Sequence, residues 1–96
     1  MKMILVVCPA AHHEDFRGAI REHGIHSYTE MRHVRGEGET GKKFGSRLWP
    51  DESVLIFMVV EDSKKGEIAD LISRCRENLF PTEGMHAFVM PVEEIL

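Results

Sequence analysis

Ser53 to Glu61 reads SVLIFMVVE, and every position from Val54 to Val60 is apolar. A strand with one wet face alternates, whereas one that is apolar at both parities must be covered on both faces. The segment therefore predicts a central strand, and the rest of the chain has to supply its neighbours and its covers. Met3 to Pro9 is β-branched and apolar and stops at a proline, which predicts a first strand. Met85 to Pro91 (MHAFVMP) predicts the last strand, with a short tail from Val92 to Leu96. Ser27 to Arg35 alternates only in part, with Tyr28, Glu30, Arg32 and Val34 on one side and Thr29, Met31 and His33 on the other, as a half-exposed edge strand does.

Two helices fall between these strands. His12 to His23 carries Phe16, Ala19 and Ile20 on one face, Glu14 and Asp15 in the first turn where the helix dipole favours them, and Gly24 as its stop, with Ile25 packing back on the helix end. After Asp62 or Ser63 as a cap, Ile68, Leu71, Ile72, Cys75 and Leu79 recur at helical spacing. The order is βαββαβ: an α+β, ferredoxin-like domain spanning residues 1–96, with a four-stranded antiparallel sheet and a long loop between strands 2 and 3. Right-handed crossovers put both helices on the same face of the sheet. The other face is apolar too, and in a chain of 96 residues the available cover is another subunit.

Composition narrows the function classes. A chain of 43% hydrophobic and 29% charged residues is an ordinary globular protein, and no apolar run reaches bilayer length. The apolar stretch Met3 to Cys8 is shorter than the core of about 7 to 15 residues that a signal peptide needs. The expected location is the cytoplasm, without membrane insertion. Cys8 and Cys75 stand outside any CxxC pattern and within apolar surroundings, as buried thiols do. Net charge is −4, yet Arg32 to Pro50 holds five basic and two acidic residues, a local +3 against −7 elsewhere. An acidic body argues against nucleic acid as a partner and leaves a small anion or an acidic protein patch.

The basic stretch is the loop, Arg35 to Glu52, RGEGETGKKFGSRLWPDE, with four glycines and no periodicity. Long aperiodic loops in small domains are more often functional than not. Gly36 and Gly38 lie where the strand gives way to the loop, and glycine there opens backbone conformations closed to other residues. Gly36, Gly38 and Gly41 spell GxGxxG, and Gly36, Gly41 and Lys42 spell GxxxxGK, but Lys43 stands where a P-loop needs Ser or Thr, and FGSRLWP follows where both motifs need a helix. Trp49 before Pro50 suits an anchor for the loop base.

VRGEG at Val34 to Gly38 and VMPVEEI at Val89 to Ile95 resemble the VRGxG and VLPVEEV segments of PII nitrogen-regulatory proteins, at matching places in the same βαββαβ order. The resemblance implies a homotrimer with its sheets facing inward, and a small effector held in clefts between subunits, with Gly84 and His86 as cleft residues. It also implies a T-loop, residues 36–50, that contacts a regulated partner through Arg35, Gly36, Glu37, Gly38, Lys42, Lys43, Ser46 and Arg47. Gly45-Ser46-Arg47 is similar to the T-loop position where some PII proteins carry a phosphorylatable serine. Two departures weigh against ATP and 2-oxoglutarate sensing: FPTEGMHAF replaces the TGxxGDGK-type loop, with His86 where its lysine would align, and the basic segment expected after VLPVEEV is missing as the chain stops at Leu96. The loop also has no tyrosine, so modification on a T-loop tyrosine has no acceptor. The effector expected is a nucleotide or another small anion.

Two other classes compete with this signalling protein. A trimeric, divalent-metal-binding protein similar to the CutA group would use His33, Glu37 and Glu39 between subunits, but no HxxxH, HExxH or paired CxxC spacing supports it, and adjacent His12 and His13 point in different directions. An enzyme would use Cys8 with His12 or His13, but no residue is marked as an orienting third group or oxyanion donor. The expectation is a protein without catalytic activity.

Overall fold

The computed structural model describes residues 1–36, 52–80 and 83–96. Its elements run β1 (Lys2–Pro9), a 3₁₀ turn (Ala10–His12), α1 (His13–Glu22), β2 (Thr29–Arg35), β3 (Glu52–Val60), a second 3₁₀ turn (Asp62–Lys64), α2 (Lys65–Glu77) and β4 (His86–Pro91). The strands form one sheet in the order β2-β3-β1-β4, with all three neighbouring pairs antiparallel. This is the α+β, ferredoxin-like arrangement expected from the apolar runs.

Register divides the sheet into two faces. Val6 lies between Ile56 and Ala87, and Ile4 between Met58 and Val89. Ile4, Val6, Cys8, Val54, Ile56 and Met58 are buried with Phe16 and Ile20 of α1 and Ile68, Leu71 and Ile72 of α2 in one core. The opposite face carries Leu5 between Phe57 and Phe88, Met3 between Val59 and Met90, and Val7 between Leu55 and His86. There Phe88 is 54% exposed, Met31 48% and Met90 39%. Both parities of the central strands are thus apolar, and the helices cover only one.

The end of α1 follows from one residue. Gly24 adopts φ 82, a conformation costly for any residue with a Cβ. Gly24 then donates its N–H to the Arg21 carbonyl at 3.0 Å and Ile25 donates to the Ile20 carbonyl at 3.0 Å, the paired bonds of a Schellman stop. Ile25 consequently packs into the core. The start of α2 differs from expectation. Neither Asp62 nor Ser63 caps it; both lie in the 3₁₀ turn, the helix begins at Lys65, and no side chain bonds its first turn. Asp62 instead holds the Met1 ammonium at 3.0 Å, and that ammonium lowers its pKa.

Strand β2 also departs from simple alternation. Met31 faces Leu55 but Val34 faces Ser53, so Arg32 and His33 together oppose a single residue, Val54. This is a β-bulge, and His33 within it takes φ 60. One extra residue changes the parity of everything after it. Val34 therefore shares the face of Met31, not the side of Glu30 to which even spacing assigns it.

Candidate functional site

Antiparallel pairing gathers four strand termini at one end of the sheet: Pro9 of β1 opposite Ser53, Arg35 of β2 opposite Glu52, and His86 of β4 opposite Val7. The expected loop residues leave from this end. Arg35 is the last, exposed residue of β2, and exposed Gly36 follows it. Gly36 is not in the left-handed region, and a Cβ built on it would meet nothing within 4 Å. Gly36 thus does not use a glycine-only conformation here. The unusual backbone lies three residues earlier, at His33, whose Nδ1 sits 3.3 Å from a Glu52 carboxylate oxygen across the neck of the loop. Glu37, Gly38, Glu39, Lys42, Lys43, Ser46, Arg47, Trp49 and Pro50 lie outside the described residues.

The expected cleft residues lie at the opposite edge. Gly84 is partly buried, and His86 is exposed at the start of β4 on the helix-free face. The preceding segment is well tied. Met85 is buried and its carbonyl accepts the Arg76 Nε–H at 2.8 Å; the Glu83 carboxylate accepts the Phe80 N–H at 2.9 Å and meets His12 Nε2 at 2.9 and 3.0 Å. Partial burial alone would raise the Glu83 pKa, but the bonds from Phe80 and His12 outweigh it and the pKa is lowered. Edges β2 and β4 are three strand spacings apart, or about 14 Å. A single chain therefore does not bring Arg35 and Gly36 together with Gly84 and His86.

Sequence reasoning missed the polar framework around these positions. His13, the one buried polar side chain among the described residues, meets Glu30 of β2 at 2.7 Å. Glu30 also has Arg17 and Arg32 at 3.8 Å each, Arg32 reaches Glu14 at 3.7 Å, and Arg17 hydrogen-bonds Glu14. Desolvation raises the Glu30 pKa, but the His13 bond and the nearby Arg17 and Arg32 overcome it, so the net shift is downward. At the far end of α1, His23 Nδ1 meets Glu67 of α2 at 2.6 Å. Partners separated by 71, 17 and 44 positions leave no local signal. The bulge did leave one: apolar Met31 and Val34 stand three positions apart, a spacing that shares a strand face only with an extra residue between them.

This framework also decides the nucleophile question for Cys8. Its side chain is fully buried, and desolvation, with Cys75 and Glu83 adding, pushes the thiol up to about 12. A thiol held there favours its protonated form at neutral pH, the opposite of the thiolate that a nucleophile requires. His12 and His13 are engaged by Glu83 and Glu30. Among the described residues, no three His, Cys, Asp or Glu side chains gather as a metal site would require.

The family described as nitrogen regulatory protein P-II matches residues 1–96. No protein of curated function is detectably similar in sequence. Solved structures similar in fold include CPII from Thiomonas intermedia K12, a nitrogen regulatory PII-like protein. Its form bound to ADP and bicarbonate superposes with a TM-score of 0.73 at 20% identity, covering 93% of this chain and 82% of that one. Its form bound to ADP, AMP and bicarbonate gives 0.73 at 18% identity, covering 93% and 86%. The form bound to ADP, AMP and acetate gives 0.71 at 18% identity, covering 92% and 81%.

Proposed function

The chain belongs to the P-II nitrogen regulatory protein family, and from that premise we propose a trimeric regulatory protein, one domain of 96 residues, that binds a small effector between subunits and contacts a partner through residues 36–50. The observation that carries this reading is the helix-free face. Met3, Leu5, Val7, Leu55, Phe57, Phe88 and Met90 form a continuous apolar surface across β3, β1 and β4. Each such side chain gains on the order of 1 kcal/mol from being covered further. A cyclic assembly also explains the divided site, because joining the β2 side of one copy to the β4 side of the next would bring loop neck and cleft residues together.

The effector that fits best is a small anion, alone or with an adenine nucleotide. The CPII neighbours are bound to ADP with bicarbonate, or to ADP and AMP with acetate or bicarbonate. The Glu83 carboxylate ahead of β4 disfavours a triphosphate beside it by like-charge repulsion. The work of such a protein is regulatory and non-catalytic, and the cytoplasm suits it. Light scattering should give a trimer, and thermal shift with ADP, AMP, ATP, bicarbonate and acetate should show the adenylate with a small anion raising Tm most. A stable monomer at micromolar concentration overturns the assembly; no shift with any of the five overturns the effector class. In the loop, Lys42→Glu with Lys43→Glu should weaken capture of an acidic partner and flatten its salt dependence while leaving Tm nearly unchanged, because screening over roughly 8 Å confines these charges to association.

A further inference from the structure

His12 and His13 are adjacent in sequence, yet their rings reach opposite edges of the sheet. His12, closing the 3₁₀ turn, meets both Glu83 carboxylate oxygens ahead of β4 at 2.9 and 3.0 Å. His13, opening α1, meets Glu30 near the start of β2 at 2.7 Å. Successive helical side chains diverge by about 100°, so a tandem pair at this point can face both ways. In the order β2-β3-β1-β4, these are the two outer strands. They share no ladder, and the start of α1 reaches both, through His12 to Glu83 and through His13 to Glu30.

We propose that His12–His13 is a bridge coupling the two edges, through which a displacement of residues 83–85 ahead of β4 is transmitted to β2 and its bulge. This goes beyond the proposed effector and partner and stands without either. The connection is short and stiff. Glu83 is held locally by the Phe80 N–H, so its carboxylate is tied to the backbone that follows α2 rather than free. One peptide bond separates the two histidines, and His13 is 4% exposed, so its ring has little room to absorb a shift. Beyond it, Glu30 faces Arg32 at 3.8 Å, and Arg32 is the first residue of the bulge. The bulge is the element able to respond, because His33 at φ 60 occupies a conformation that persists only where its surroundings impose it. The cross-sheet ladder through β3 and β1 offers a parallel route, so the test must separate the two.

Amide hydrogen exchange of Thr29 to Arg32, measured at one fixed protein concentration in wild type, Glu83→Ala, His13→Phe and the double variant, makes that separation. Glu83→Ala should speed exchange in β2 about threefold or more, and in the His13→Phe background the same change should fall below about 1.5-fold. Equal acceleration in both backgrounds, or none at β2 in either, overturns the bridge. If His13→Phe fails to fold, a cycle of Glu83→Ala with Glu30→Gln on the unfolding constant replaces it. The two substitutions should depart from additivity by more than about twofold, and additivity within that factor overturns the proposal.

Discussion

Ile56 and Phe57 are consecutive residues of one strand, and they live in different solvents. Ile56 is fully buried among side chains of both helices, while Phe57 lies on the face whose neighbours Phe88 and Met31 are about half exposed. The two faces of β1 and β3 are similar in composition, so hydrophobicity alone does not say which is inside. What separates them is the provider of the cover. Crossovers of fixed hand commit α1 and α2 to one face and leave the other without helices, where the proposed assembly would supply the cover. Burial within the chain and the burial by association proposed for it thus fall on alternate letters of the same segment.

The largest expected effect comes from charging the inner face. Ile56→Asp places an unpaired carboxylate in the core, at least about 4 kcal/mol against a marginal stability of about 5–15 kcal/mol, so no cooperative unfolding transition should be seen by circular dichroism. Phe57→Asp should instead leave the far-UV spectrum intact and weaken self-association at least about 100-fold by light scattering. If both substitutions unfold the chain, or neither changes its association, the distinction between the faces is lost.

Acid offers a gentler probe, because the described His–Glu ties all sit away from the apolar face. Glu67, through the His23 and Lys64 bonds, and Glu30 and Glu83, where partner bonds outweigh desolvation, have pKa values below their ordinary 4.5. Their folded pKa values are depressed, so the stabilisation is full above about pH 4.5 and drains away as pH falls through the lower folded values. Denaturant midpoints should therefore fall below pH 4.5, and replacing Glu30, Glu67 and Glu83 together with Gln should flatten that fall. The smallest effect is expected at the cap of α1. Gly24→Ala at φ 82 should cost about 1 kcal/mol, seen as a Tm roughly 4–8 °C lower, with association unchanged.

The same contrast explains how far the residues alone could be read. The doubly apolar runs in Val54 to Val60 and Met3 to Cys8, the helical spacing through Ile68 and Ile72, and Gly24 before Ile25 carry the order of elements, because periodicity and a forced φ are local properties. VRGEG and VMPVEEI carry the family. The ties of His12 to Glu83 and His13 to Glu30 are decided only once three strands lie side by side, and no spacing within a window records them. At the start of α2, the cap chemistry of Asp62 was legible but outcompeted: the Met1 ammonium offered that carboxylate a full charge rather than a backbone N–H. The separation of Arg35 and Gly36 on the β2 side from Gly84 and His86 on the β4 side followed from topology rather than from any motif.

The bulge in β2 has one more consequence, in the arithmetic of insertion and deletion. Removing one residue from a paired strand ordinarily turns every following side chain over, which is why such changes are rarely tolerated. His33 is an exception. Without it, Arg32 would stand opposite Val54 while Val34 and Arg35 kept their present partners, Ser53 and Glu52. The chain carries a residue it could lose without shifting the frame of anything downstream, so a variant lacking His33 would present residues 36–50 from the same strand ends with only the local twist removed.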